Sequence, residues 1–298
     1  MKDNQLLDPH ILKKRKYTEL DNNLSETYQN VKKIQPTDSD LVYYMKKLEA
    51  TRAIGGASSA KMYSDIGINT PPIQVFKNSD NMKTERSIIQ PDVTQNPNIE
   101  TILAKDGIEY KKIFLNFSTR YKWELFYDYN KQAQFLKYMT PKCLEELKNI
   151  YLIDELRTDI DRTLNNYFLY KSPQSNLYEG IIAIDLDQMQ IYNYAPTTRE
   201  EFYNFLYSPY ASLTPTQKED CSTYMNRIHM LRELLDDGVL SQNNIETMIK
   251  ALKHDLPKDI QFLCRKQKLS PGLTNKTYSP IARLWEYNQQ ELGKDLGL

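Results

Sequence analysis

Glycine is scarce in this chain: 9 residues in 298, and none before Gly55, against a usual share of about 7%. Nothing upstream of that point can form a glycine-rich turn. Cysteine is limited to Cys143, Cys221 and Cys264, far apart and with no C-x-x-C pair. That excludes a disulfide framework and suggests a reducing compartment. The 3 histidines are dispersed, which argues against a zinc site of His and Cys ligands. The 39 Lys+Arg balance 39 Asp+Glu, so no global charge draws the protein to nucleic acid or an anionic membrane. Long apolar runs are missing as well. Met1 to Lys16 is too polar for a signal peptide, and no segment approaches the roughly 20 apolar residues that span a bilayer. A soluble protein with no nucleic-acid partner and no transmembrane segment is expected.

What is present is ordinary in bulk. Hydrophobic content of 40% and charged content of 26% suit a globular protein with a sizeable core. Tyrosine (22) outnumbers phenylalanine (9), a bias that reads as compositional. Residues 1–38 are polar, carry the basic run Lys13 to Lys16 and show no period, so they read as a flexible tail or as poorly patterned short strands. The basic run reads as a solvated cluster, with phosphate binding or nuclear targeting as the alternative. Leu41 to Met45 is a β-prone run leading into Lys46 and Lys47. Gly55-Gly56 precedes a small-residue helix, Ala57 to Asp65, stopped by Gly67. Thr70-Pro71-Pro72 forces extended backbone into a strand at Ile73 to Phe76, and Ser87 to Ile89 is another, cut off by Pro91.

Helices dominate afterwards. Thr140 with Pro141 can open one carrying Leu144, Leu147 and Tyr151. Thr214-Pro215-Thr216-Gln217 is a capping box that opens a second, with Cys221, Tyr224, Met225, Ile228, Leu231 and Leu235 on one side and Gly238 at its end. Ile245, Met248, Ile249 and Leu252 mark a third. Between them lie two short strands, Tyr167 to Tyr170 and Ile181 to Ile184, joined by the polar stretch Lys171 to Gly180. The fold class is therefore α+β, with residues 1–38 as an extension, 39–95 as a strand-rich unit and 96–298 as a mostly helical one.

The stretch that carries chemistry is Asp159-Ile-Asp161-Arg162, with Asn166 five residues after Asp161, then an apolar strand, and then Ile181-Ile-Ala-Ile-Asp185-Leu-Asp187. A hairpin can bring Asp161, Asn166 and Asp185 to one edge. A carboxylate that orients a hydroxyl, with a carboxylate and an amide oxygen to hold a hard cation, is what phosphoryl transfer requires. Asp159 is a rival to Asp161, without an arginine after it. Taken singly, Asp161 and Asn166 would read as cap and turn residues.

D-R-x-x-x-N, an apolar strand and an apolar run ending in aspartate resemble the catalytic and metal-binding loops of the atypical protein-kinase-like superfamily. The closest flavours are type II phosphatidylinositol 4-kinases, HipA-type kinases and effector kinases of intracellular bacteria. The resemblance implies a bilobal kinase-like fold, with a small strand-rich N-lobe, a mostly helical C-lobe, ATP and Mg2+ or Mn2+. It implies Asp161 as catalytic aspartate and Asn166 and Asp185 as metal ligands, with Asp187 in place of the usual glycine. Lys46, with Lys47 as the alternative, would pair with the α- and β-phosphates. Ile88 to Val93 would be the hinge, placing Gln90 and Asp92 against the nucleotide. Two family features are absent: a glycine-rich loop, and a glutamate on the small-lobe helix, since Glu49 lies upstream of Gly55-Gly56.

Two function classes follow. One is an active kinase for Ser/Thr hydroxyls, with a phosphoinositide or small polyol as the alternative acceptor. The other is a pseudokinase that binds without turnover. The likeness to bacterial effector kinases implies secretion into a host cytoplasm, a host protein substrate and activation by inositol hexakisphosphate. Arg227, Arg232, Lys250, Lys253 and His254 on adjacent helices are one candidate activator cluster, and Lys13 to Lys16 another. A solvated face is the ordinary reading of each.

Overall fold

Alternation along β3, Tyr43–Glu49, organises the small lobe. Its odd-numbered side joins Ile34 and Ile89 in an outer apolar cluster, and its even-numbered side places Leu48 against Ala53, Val75 and Ile88. This computed structural model describes residues 17–20, 31–37, 39–77, 85–101, 123–156, 166–186, 198–207 and 227–253. β1 (Tyr17–Glu19), β2 (Val31–Pro36), β3, β4 (Gln74–Lys77) and β5 (Glu85–Pro91) form one antiparallel sheet in the order β1-β2-β3-β5-β4. Helix α1, Ala50–Asp65, is inserted between β3 and β4 and packs on β3, β4 and β5.

Two sequence expectations change here. The segment assigned to a polar extension, residues 1–38, supplies β1 and β2. They were poorly patterned because β2 places two adjacent lysines between its two aliphatic residues, Val31 and Ile34, which breaks the alternation. Helix α1 starts at Ala50 rather than Ala57, so Gly55 and Gly56 lie inside it. Each glycine costs a helix about 1 kcal/mol, and packing between the two lobes outweighs that cost. Gly67, at φ +90°, ends the helix as expected, with Gly67 N–H donating to the Ser64 carbonyl and Ile68 N–H to that of Tyr63.

A 3-10 turn, Val93–Gln95, leads into β6, Ile99–Thr101, which pairs with β7 (Tyr167–Lys171) and β8 (Tyr178–Ala183) in the order β6-β7-β8. Around this sheet lie α2 (Glu124–Tyr127), α3 (Tyr129–Phe135), α4 (Pro141–Leu156), α5 (Arg199–Tyr207), helical residues 227–236 (α6) and α7 (Gln242–Lys253). Thr140 Oγ1 accepts from Cys143 N–H at 3.2 Å, the cap expected of Thr140-Pro141. α4 is the central helix: Leu147, Ile150, Leu152, Ile153 and Leu156 are all fully buried, each worth about 1.5–3 kcal/mol over an exposed position. Ser241 and Asn244 cap α7 reciprocally, at 2.9 and 3.1 Å, and Ile245, Met248, Ile249 and Leu252 face the core as expected. The helix expected from Thr214 is described only from residue 227.

The result is an α+β, bilobal, protein-kinase-like architecture: a small antiparallel lobe with one inserted helix, and a mostly helical large lobe. α1 belongs to both cores, since Ile54, Ala60, Met62 and Tyr63 join the large-lobe cluster. Among the described residues no helix is long and apolar enough to cross a membrane.

Candidate active site

A cleft of about 260 Å³ opens between the lobes. Its roof is Val31 from β2, Tyr44 and Lys46 from β3, Ile73, and Ile88 from β5. Its back is Gln90 to Val93, and its floor is Asn166, Phe168, Ile184, Asp185 and Leu186. The walls are largely apolar, with a few polar and charged groups among them, as in sites for flat organic ligands.

β-strand alternation separates the two candidate lysines. Lys46 enters the cleft, and Lys47 is exposed. Lys46 Nζ lies 2.8 Å from Asp185 Oδ1, across 139 residues of chain. Asp185 follows β8 and holds φ at +57°, the left-handed region that few non-glycine residues adopt. The hairpin fixes it there: Ile184 N–H donates to the Asn166 carbonyl at 2.9 Å. Asn166, just before β7, is buried and lines the same cleft. The structure thus brings Lys46, Asn166 and Asp185 together. Asp161, its rival Asp159, and Asp187 lie outside the described residues.

The Asp185 carboxylate and the Asn166 amide supply oxygen donors alone, the set a hard divalent cation takes. An ammonium already sits on Asp185, so that carboxylate is placed to hold a positive charge. Among the described residues no three His, Cys, Asp or Glu gather into a metal cluster.

The hinge is anchored by Asp92 together with Lys33, Thr94 and Gln95, which the sequence did not single out. The buried Asp92 carboxylate accepts from Thr94 N–H (3.0 Å) and Thr94 Oγ1 (2.6 Å) and pairs with Lys33 Nζ at 3.1 Å. Burial works to lower the Lys33 ammonium pKa, but the hydrogen bonds to Asp92 and Tyr44 outweigh it and leave the group above its ordinary value. Burial, then the Asp92 charge, pushes the Tyr44 phenol up. Gln95 closes a two-way amide pair with the Val42 backbone, both bonds 2.7 Å, and Asp92 N–H donates to the Val42 carbonyl at 3.0 Å. With that edge paired to β3, alternation turns the Pro91 carbonyl to the opposite edge, beside the cleft. Asp92 therefore stiffens the hinge through its side chain, and Gln90 lines the cleft wall.

Below the site, Asp154 of α4 is fully buried and accepts from Tyr63 of α1 (2.7 Å) and Tyr167 of β7 (3.0 Å). Among the several acids of α4, Asp154 carries no sequence signal for this role, because its partners come from distant elements.

Among the described residues, the candidate activator side chains do not gather into an open basic pocket. Arg227 pairs with Glu155 at 3.3 Å. Arg232 donates to the Leu206 carbonyl and lies over the Tyr207 ring, 5.5 Å from its centroid. Burial lowers the Arg232 pKa. Lys250 is exposed. The Lys253 side chain, His254 and Lys13 to Lys16 lie outside the described residues.

No protein-family model matches the sequence, and comparison with curated proteins gives no match. Among solved structures, the chain is similar to the crystal structure of a Helicobacter pylori proinflammatory kinase, CtkA, at 14% identity and a TM-score of 0.38, covering 88% of this chain and 96% of that one. It is also similar to WaaP, solved in complex with acyl carrier protein, at 12% identity and a TM-score of 0.30, covering 82% and 92%. At scores this low the overlap adds nothing to what the topology and the cleft establish.

Proposed function

We propose that this chain is an ATP- and divalent-metal-dependent phosphotransferase of the atypical protein-kinase-like kind, acting on a Ser/Thr hydroxyl. The observation that carries the reading is the Lys46–Asp185 pair in a largely apolar interlobe cleft that Asn166 also lines.

Adenine fits between Val31 above and Phe168 below, with the Pro91 carbonyl accepting from its exocyclic amine. Val93 N–H, at the first position of the 3-10 turn, makes no hydrogen bond among the described residues and is the natural donor to the ring. Lys46 holds the α- and β-phosphates. Asp185 and Asn166 would hold Mg2+ or Mn2+, whose charge would supply electrostatic stabilisation of the transferred phosphoryl group. Asp161 orients the acceptor hydroxyl and takes its proton.

ADP release measured with Mg2+ or Mn2+ tests the reading. Asp185→Asn lowers turnover by about 10²–10³-fold, the cost of removing one preorganised electrostatic group. Unchanged turnover in a folded variant overturns it.

The finer reading is an effector kinase of intracellular bacteria that modifies a host protein and is activated by inositol hexakisphosphate. Arg227 and Arg232 would have to leave Glu155 and Leu206 to join such a ligand. Labelled ATP with and without host extract, and with the pure inositol phosphate, separates these cases, and phosphoinositide or polyol acceptors are tested in the same assay. The alternative of a non-catalytic nucleotide-binding module draws on the absence of glutamate from α1 and of glycine from residues 21–30 between β1 and β2. Nucleotide binding by calorimetry without product favours that alternative.

A further inference from the structure

Cross-strand pairing arranges the roof of the cleft in two rows. Val31, Lys46 and Ile88 stand opposite one another on β2, β3 and β5, and Lys33, Tyr44 and Gln90 form the next row toward the hinge. Directly paired residues share a face of the sheet, and from the second row Tyr44 and Gln90 line the cleft. Tyr44 thus brings an aromatic ring to the hinge end of the roof. Lys33 Nζ lies 5.1 Å from the centroid of that ring and pairs at 3.1 Å with the buried Asp92 carboxylate. The phenol engages the same two groups. The cleft it overhangs is small, about 260 Å³, against roughly 300–1,000 Å³ for most organic-ligand sites.

We propose that Tyr44 is a specificity-determining residue of this cleft: its ring walls the space beside the hinge, so that the site admits a base with an unsubstituted exocyclic amine and rejects one whose amine carries a bulky group. This rests on the reading of the cleft as a nucleotide site. In that reading the amine gives one hydrogen to the Pro91 carbonyl. Its second substituent then runs along the wall next to Pro91. Two side chains stand there, Gln90, which precedes Pro91 in β5, and Tyr44, opposite Gln90 in β3. Gln90 is a long, rotamer-rich chain that can swing aside at a small entropic cost. Tyr44 is the stiff member, a rigid ring with two torsions, its face against Lys33 and its phenol at Asp92. The same Asp92 that stiffens the hinge therefore also fixes the ring that limits what the hinge can hold.

The test is calorimetric binding of two ligands to the full chain with Mg2+: ADP, and ADP carrying a benzyl group on its exocyclic amine. The proposed reaction consumes neither, so the readout is affinity and not turnover. Wild type binds ADP and discriminates against the benzylated form. Tyr44→Ala binds the benzylated form about ten- to a hundredfold more tightly than wild type does, the scale of one aromatic group buried in the space another has left. Tyr44→Phe keeps the ring and keeps the wild-type discrimination. If wild type binds ADP but accepts the benzylated form equally well, or if Tyr44→Ala gains nothing for it, the proposal falls and the nucleotide reading stands. Relaxed discrimination in Tyr44→Phe likewise overturns the role given to the ring. If wild type binds neither ligand, the nucleotide reading falls and the proposal falls with it. Circular dichroism checks each fold, and Tyr44→Val, better suited to a central strand, carries the same expectation should the alanine variant not fold.

Discussion

Asp185 combines two demands that few side chains meet: a carboxylate for a cation and a backbone at φ +57°. Asp and Asn tolerate the left-handed region because their short polar side chains hydrogen-bond locally, whereas a Cβ without that help costs about 1–2 kcal/mol there. Asp185→Asn should thus leave stability within about 0.5 kcal/mol of wild type, while Asp185→Ala should lose roughly 1 kcal/mol. Urea unfolding of the two variants checks this, and equal stabilities would contradict it. The asparagine variant is accordingly the cleaner probe of chemistry. Asn166 and Asp185 were legible in the sequence because one hairpin joins them, and hairpins announce themselves locally. Lys46 was legible in part, since a strand shows only one of two adjacent lysines to a given face. Asp154 and Lys33 were illegible. Their roles depend on Tyr63, Tyr167 and Asp92, which only the tertiary fold brings near.

At the scale of elements, α1 shows how packing overrides propensity. A Gly-Gly pair reads as a helix boundary, yet the helix runs through it because Ala53 and Ala57 face the small-lobe cluster while Ile54, Ala60 and Met62 face the large one. Those two faces were not visible as a period, because small residues serve both. A Cβ built on Gly55 meets nothing within 4 Å. Gly55→Ala should therefore stabilise the protein by about 0.5–1 kcal/mol through backbone entropy alone, read as a higher urea midpoint at constant slope. A lower midpoint would mean that the glycine is kept for some other contact. β1 and β2 were the least legible elements: Val31–Pro36 buries Ile34 and Pro36 and leaves its lysines to solvent and to Asp92, so the alternation is two residues long and easily missed.

Across the whole molecule, α1 is what fixes one lobe against the other. Its far end is tied to the large lobe by the Tyr63 hydroxyl on Asp154 at 2.7 Å, and the segment after it by Ala183 N–H donating to the Asn69 carbonyl at 2.9 Å. Tyr167, next to Asn166 in sequence, shares the same carboxylate at 3.0 Å. One buried carboxyl group thus holds the small-lobe helix and the strand that follows Asn166. The two tyrosines differ in what they join, and this separates their effects. Tyr63→Phe keeps the ring in the core but removes the bond between lobes, at a cost of about 1.5–3 kcal/mol for a hydrogen bond to a charged group. Tyr167→Phe removes a bond inside the large lobe, at a similar cost. Hydrogen exchange followed by mass spectrometry distinguishes them. In Tyr63→Phe the amides of α1 should exchange faster while those of α4 and α7 keep their protection, because local opening follows the contact that was lost. In Tyr167→Phe the change should fall on β7 and β8. Equal loss of protection in α1 from both variants would mean that Asp154 merely fills a polar hole in the core, and that the lobes are held together by apolar packing alone.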